Sequence, residues 1–161
     1  LAQNDLQVVS TDHCPFCMNE ASQKLLGNDD FSKIPNGAPG IETRLHMLWE
    51  GVRKGFIDQH RFVQLMSTSP AKMFGLFPKK GTIAIGSDGD LILWDPEKEH
   101  TLSVNAQHMR VDYNPYEGRV VKGAPAVVLS RGEVIVDHGT FLGQKGRGVF
   151  VKRQAGPPLV A

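Results

Sequence analysis

The hydrophobic pattern of this chain changes near residue 80, and that change constrains the fold more than any other feature. Between residues 41 and 75 the apolar residues recur at helical spacing. From Gly81 onward, short apolar runs are separated by Gly, Pro and Asp. The first pattern is typical of amphipathic helices and the second of short strands joined by turns. The sequence therefore predicts a helical part followed by a small β unit.

Length and composition limit the class of protein further. The 161 residues are 22% charged and 40% hydrophobic, which suits one domain, or slightly more, with a buried core. A net charge of +1 predicts no general attraction to nucleic acid or to an anionic membrane. There is no apolar run of about 20 residues and no signal-peptide pattern at the N-terminus. Since two cysteines are too few for a disulfide scaffold, we expect a cytoplasmic protein.

The first half is predicted to contain one strand and then helices. The strand over residues 6–11 is rich in β-branched side chains and ends at Asp12. After it the sequence predicts, in order, a short helix over residues 20–26, a long loop over residues 28–40 and a helix over residues 41–52. Two more helices follow, one capped by Asp58 and one that starts at Ser69 and Pro70.

The second half is predicted to contain short strands over residues 82–85, 91–94, 126–130 and 133–136. Arg131 and Gly132 fit a two-residue hairpin turn, and residues 86–89 mark another turn. The last 17 residues carry four basic side chains and no acidic one, at Lys145, Arg147, Lys152 and Arg153. They predict an exposed arm or a subunit-contact segment, with a phosphate-binding tail as the alternative.

Asp12 is the first candidate for chemistry, because it stands where the predicted strand ends. In a parallel α/β barrel, side chains at the carboxyl ends of strands build the active site, and a carboxylate there can bind a cation or accept a proton. The alternative is that Asp12 caps the following turn. His13 points to the opposite face of a continued strand, so we expect it to support the site indirectly or to pack. The other five histidines lack metal-ligand spacing and are interpreted as surface or structural residues.

Two further groups are candidates for chemistry. Cys14 and Cys17 form a Cys-x-x-Cys motif, which is compatible with a redox dithiol or half a zinc site, although no second pair completes the latter. In the long loop, Asn36 offers a backbone carbonyl beside Gly37, which permits close approach. A ligand with cyclic amide N–H groups needs such an acceptor, and the alternative is an ordinary turn.

Several motifs in order resemble the C-terminal third of the dihydropyrimidinase and D-hydantoinase family. They read STDHCPF (residues 10–16), DFSKIPNG (30–37), STSPAK (67–72), FGLFPKKGTI (74–83), GSDGDL (86–91), VDYN (111–114) and EG (117–118). The similarity continues to about residue 153 and so covers nearly the whole chain.

The resemblance implies a cyclic amidohydrolase that opens the ring amide of dihydropyrimidines or 5-substituted hydantoins to give N-carbamoyl amino acids. The family site holds two zinc ions, bound by a His-x-His pair, a carboxylated Lys, two further His and one Asp. Asp12 matches that Asp, which binds one metal and passes a proton to the leaving nitrogen. Asn36 matches the residue whose backbone carbonyl accepts a ring N–H. Family members are usually homotetramers.

The implied fold is α/β, the C-terminal part of a distorted TIM-type barrel with its last strand and following helices, plus strands of a small β-sandwich. Residues 1–80 would end the barrel, residues 81–144 would form sandwich strands and residues 145–161 a basic arm. The other metal ligands precede this segment in the family. We therefore expect it to be part of a longer hydrolase and inactive alone.

Two other function classes remain as alternatives. The first is a non-catalytic scaffold like the collapsin response mediator proteins, which resemble this segment but lack the metal-binding Asp. The second is a thiol redox module built on Cys14 and Cys17, where Cys17 replaces a residue that is usually polar in the family.

Overall fold

Three helices form between residues 44 and 73 of the computed structural model, which describes residues 1–155. Helix α1 spans Arg44–Arg53, α2 spans Gln59–Val63 and α3 spans Ser69–Met73. The prediction of an amphipathic helix ending before Gly55 is confirmed by α1. The Asp58 carboxylate accepts a hydrogen bond from the Arg61 backbone N–H at 2.6 Å, so the predicted cap of α2 is also confirmed.

Helix α3 begins at Ser69 with Pro70 in its first turn, so the predicted helix start is confirmed, although no side-chain hydrogen bond caps it and it continues directly from the preceding turn. A π-helical turn over Gln64–Thr68 joins α2 to α3, and the Ser69 backbone N–H donates to the Gln64 carbonyl five residues earlier. Pro70 has no N–H, and its ring would clash with the carbonyl four residues before it in a regular helix. The wider turn avoids that clash, and it also rotates the apolar face relative to a regular helix.

Two predicted strands and one predicted helix differ from the structure. Residues 6–11 and residues 82–85 form no strand, because a strand requires a hydrogen-bonded neighbour and neither segment has one among residues 1–155. The helix predicted over residues 20–26 is reduced to a 3₁₀ turn over Lys24–Gly27. A second 3₁₀ turn, Phe31–Lys33, lies in the predicted loop, where the Asp30 carboxylate caps it by accepting the Ser32 backbone N–H.

The second half forms a four-stranded sheet whose strands follow chain order. They are β1 (Leu91–Thr101), β2 (Val120–Ser130), β3 (Glu133–Asp137) and β4 (Thr140–Phe141). Strands β2 and β3 are antiparallel, as are β3 and β4. Arg131 and Gly132 both have positive φ between the paired Ser130 and Glu133, so the predicted two-residue hairpin is confirmed.

The described chain divides into two compact units. The first combines Leu1–Val9, Gly51–Lys98 and the residues from Gly123 onward, and its buried side chains include Ile57, Leu65 and Ala71. The second combines Ser10–Glu50 and Glu99–Lys122, with Trp49, Leu102, Met109, Val111 and Val121 buried. Both candidate site residues, Asp12 and Asn36, belong to the second unit. Across residues 1–155, no helix has the length and apolar character that a membrane span requires.

Candidate active site

Asp12 is exposed, and its backbone is in the left-handed region with φ of 43°. Residues other than Gly, Asn and Asp rarely adopt this conformation, and Asp tolerates it better than most. Among residues 1–155, no group donates a hydrogen bond to the Asp12 carboxylate and no cation pairs with it. The cap suggested by the sequence alone is therefore not formed, and the carboxylate is available to a ligand.

The segment after Asp12 contacts the loop that carries Asn36. His13 forms a parallel β-bridge with Ala38, and the Cys14 backbone N–H donates to the Ala38 carbonyl at 3.4 Å. Gly37 makes this approach possible. Its φ is +130°, and a Cβ added there would lie 2.4 Å from the Cys14 carbonyl oxygen. The structure thus joins, through adjacent residues, the two segments that hold Asp12 and Asn36.

The Asn36 carbonyl is flanked by two carbonyls that already have a donor. The Lys24 Nζ donates to the Pro35 carbonyl at 2.6 Å and to the Gly37 carbonyl at 2.8 Å. No donor among residues 1–155 reaches the Asn36 carbonyl between them. This backbone acceptor therefore remains open to an incoming N–H group.

His13 supports the loop through its ring. Its Nδ1 accepts a hydrogen bond from the Gly40 backbone N–H at 3.2 Å, so the neutral ring carries its proton on Nε2. This contact agrees with the expectation that His13 supports the site indirectly. Among the other histidines, His46 and His100 have ring centroids 4.5 Å apart, and His108 pairs with Glu42 at 3.1 Å. Residues 1–155 contain no cluster of three or more His, Cys, Asp or Glu side chains able to hold a metal.

Asp112 fixes the segment that follows Cys17. Its carboxylate accepts the Met18 backbone N–H at 2.6 Å and the Asn19 backbone N–H at 2.9 Å. The Met18 hydrogen bond above all, and the Asn19 hydrogen bond after it, lower the pKa of the Asp112 carboxyl. Asp112 belongs to the VDYN motif of the family resemblance, and this contact gives that motif a structural role in the same unit as Asp12.

Cys17 lacks the electrostatic setting of a reactive thiol. Both cysteines are free thiols. Desolvation raises the pKa of the Cys17 thiol, and the hydrogen bond and negative charge of Glu20 raise it further. Reactive cysteines have lowered pKa values, because the thiolate is the nucleophile. The surroundings of Cys17 therefore argue against a thiol redox module.

Sequence reasoning missed Lys24. A lysine in a short turn carries no signal of its own, and its two carbonyl contacts arise only when the loop folds back over residues 24–37. The sequence does show turn-forming residues around Asn36, and the family resemblance assigns its backbone carbonyl a role that stays a prediction.

One compact unit thus holds both a carboxylate and a backbone carbonyl that are available to a ligand. The chain belongs to the Amidohydrolase family, whose match covers residues 1–135. Within that family its relatives carry two related names. A D-hydantoinase of Streptomyces coelicolor is 50% identical over 95% of this chain and 32% of its own length. A dihydropyrimidinase of Rattus norvegicus is 47% identical over 96% of this chain and 29% of its own length.

Solved structures agree with the sequence comparison. The D-hydantoinase of Bacillus sp. AR9 superposes with a TM-score of 0.92 at 51% identity, over 98% of this chain and 34% of that protein. The L-hydantoinase (dihydropyrimidinase) of Arthrobacter aurescens gives 0.83 at 35% identity, over 94% of this chain and 33% of that protein. The resemblance to the dihydropyrimidinase and D-hydantoinase family is thus confirmed. The chain spans about a third of the length of the curated relatives it matches.

Proposed function

We propose that this chain forms the C-terminal third of a zinc-dependent cyclic amidohydrolase. The complete protein hydrolyses the ring amide of dihydropyrimidines or 5-substituted hydantoins and releases N-carbamoyl amino acids. The observation that carries the proposal is the Asp12 carboxylate, which has no partner among residues 1–155 and lies next to the segment that contacts the Asn36 loop. The names of the relatives support this class of substrate.

Asp12 fits the role of a zinc ligand. A carboxylate oxygen is a common zinc ligand, and an exposed carboxylate without hydrogen bonds can bind a metal without first breaking one. Two zinc ions in the complete site would supply a Lewis acid for the ring carbonyl and an activated nucleophile. The remaining ligands, including the carboxylated Lys, are proposed to come from the preceding part of the protein.

Asp12 is also the proposed carrier of the proton. Hydrolysis adds water to the ring carbonyl, and the ring C–N bond then breaks. The attacking water must lose a proton, and the leaving ring nitrogen must gain one. A carboxylate at the reacting centre can accept the first proton and deliver the second.

Asn36 is the proposed substrate-binding residue. A dihydropyrimidine or hydantoin ring presents N–H donors in its plane, and a backbone carbonyl is a fixed acceptor for one of them. Because Pro35 and Gly37 already share the Lys24 ammonium, the Asn36 carbonyl is the open acceptor of this stretch. This arrangement favours binding of a ring that donates a single N–H at that point.

The alternative of a non-catalytic scaffold is disfavoured by Asp12 itself, because the scaffold relatives that resemble this segment lack that residue. The proposal also includes the division into residues 1–80, 81–144 and 145–161, of which residues 156–161 lie outside the described residues. A cytoplasmic homotetramer remains part of the proposal on the strength of the family resemblance.

Asp12→Ala in the complete protein tests the function directly. Losing a group that both transfers the proton and binds metal is expected to lower turnover of hydantoin by at least about two orders of magnitude. Asp29→Ala is the matched control, since Asp29 is another exposed aspartate of the same unit and accepts no hydrogen bond among residues 1–155. Turnover of the Asp12→Ala protein equal to that of Asp29→Ala would remove Asp12 from the mechanism.

A further inference from the structure

Lys24 makes an unusual set of contacts for a lysine in a short turn. It is half-buried at the start of the 3₁₀ turn Lys24–Gly27. Its Nζ donates to the carbonyls of Pro35 and Gly37 and lies 5.7 Å from the centre of the Phe16 ring. An ammonium group has three donor hydrogens and no acceptor. Two of these donor hydrogens are therefore used by backbone carbonyls, and the ammonium also lies near one aromatic ring.

These contacts act on the peptide groups around Asn36. The Pro35 carbonyl belongs to the planar peptide group before Asn36, and the Gly37 carbonyl belongs to the one that follows Gly37. When both planes are held by one ammonium, only the peptide group that contains the Asn36 carbonyl lies between them. Its orientation is then restricted from both sides.

The ends of the same stretch are also held. The Asp30 carboxylate accepts the Ser32 backbone N–H at 3.1 Å before it, and the Cys14 N–H bonds the Ala38 carbonyl after it. These contacts fix where the loop starts and where it meets the Asp12 segment. Of the side chains among residues 1–155, Lys24 alone donates a hydrogen bond to a carbonyl on either side of Asn36.

We propose that Lys24 is a positioning residue for substrate binding: its ammonium occupies the two neighbouring carbonyls and orients the Asn36 carbonyl to accept the ring N–H. The inference rests on the proposed function and adds a residue to it. Lys24 does not touch the substrate. It acts through the backbone, so its loss weakens one hydrogen bond to the ring and leaves the Asp12 carboxylate in place.

The test compares Lys24→Met with Lys33→Met in the complete protein. Methionine keeps an unbranched stem without the ammonium. Lys33 lies in the same loop, but its side chain is exposed and pairs with Asp30 at 3.4 Å. Lys24→Met is expected to lower kcat/KM about tenfold, mainly through KM, because hydrogen bonds to a charged group are the strong ones. Lys33→Met is expected to retain the wild-type value, and Lys24→Arg to recover most of the loss.

Inhibition constants separate a positioning role from a general loss of structure. They are measured for a parent hydantoin and for its two N-methyl derivatives, each methylated at a different ring nitrogen. Lys24→Met is expected to weaken binding of the parent, and of the derivative that keeps the required N–H, about tenfold. Binding of the derivative that lacks this N–H is expected to weaken by less than about twofold. Equal weakening of all three, or of none, would overturn the inference. If Lys24→Met does not fold, Lys24→Gln is measured in its place against the same three inhibitors.

Asp12→Ala, measured beside these variants, keeps the two proposals apart. If the Asp12→Ala protein keeps its turnover, the proposed function is wrong. If Asp12→Ala abolishes turnover while Lys24→Met and Lys24→Gln bind all three inhibitors like the wild type, only the role of Lys24 is overturned.

Discussion

Gly37 is the residue on which the approach of the two candidate site segments depends most directly. Its φ of +130° is accessible to glycine and strained for any other residue. A Cβ at this position would also overlap the Cys14 carbonyl oxygen at 2.4 Å. Both effects act on the contact between the Asp12 segment and the Asn36 loop.

Gly37→Ala is therefore expected to destabilise the complete protein by about 1–3 kcal/mol and to raise KM. The measurements are the free energy of unfolding and the steady-state kinetics with hydantoin. Gly86→Ala is the matched control, because Gly86 also has a positive φ, of +91°, but its added Cβ would meet nothing within 4 Å. Equal effects of the two variants on KM would show that the overlap with Cys14 has no part in substrate binding.

Among single residues, the sequence predicted Asp12 and Asn36 as site residues, and their roles stay predictions. It did not predict Lys24. The first two lie in motifs that resemble a known family. The contacts of Lys24 depend on the loop folding back between residues 24 and 37. Local sequence does not show which carbonyl a long, flexible side chain will reach.

The elements that the sequence predicted well are those stabilised by neighbours along the chain. Helix α1 has its own hydrophobic period, and the hairpin between β2 and β3 follows from the turn at Arg131 and Gly132. The two predicted strands that failed needed a distant partner. Residues 82–85 have strand-like composition, yet Ile83 and Ile85 are 86% and 108% exposed and form no ladder. In the proposed complete protein, further strands are expected to pair with such segments.

Asp112 gives a pH-dependent prediction for the link between residues 18–19 and the second half of the chain. The pKa of the folded Asp112 carboxyl lies below the ordinary aspartate value of 3.8, chiefly because the Met18 N–H donates a hydrogen bond to the ionised carboxylate. A lowered folded pKa stabilises the fold above the unfolded pKa, and this contribution is lost as the pH falls through the folded value. The stability difference between wild type and Asp112→Asn is therefore expected to be largest above pH 4 and to shrink below pH 3.8.

The measurement is the urea midpoint of the complete protein on either side of pH 3.8, with Asp29→Asn as the control for the loss of one negative charge. A difference between wild type and Asp112→Asn that grows as the pH falls would contradict the assignment. A difference that does not change with pH would show that the Met18 and Asn19 hydrogen bonds do not favour the ionised carboxyl.

At the scale of the whole molecule, the chain is proposed to be the C-terminal third of a larger hydrolase. Large apolar side chains such as Phe31 and Phe150 are 85% and 90% exposed. The first two thirds of the proposed hydrolase are expected to cover some of these side chains and to supply the metal ligands other than Asp12.

The isolated chain of 161 residues is therefore expected to hydrolyse neither hydantoin nor dihydropyrimidine. A catalytic zinc site takes three protein ligands, and Asp12 is the one residue of this chain that matches the family's ligand set. After dialysis, the isolated chain should retain no stoichiometric zinc by atomic absorption, whereas the complete protein should retain two per site. The isolated Asp12→Ala chain is the matched control and should behave like the isolated wild-type chain. Suppose that the isolated wild-type chain turns over substrate and the isolated Asp12→Ala chain does not. This third of the protein would then hold a working site of its own, and the assignment of the other ligands to the preceding segment would fail.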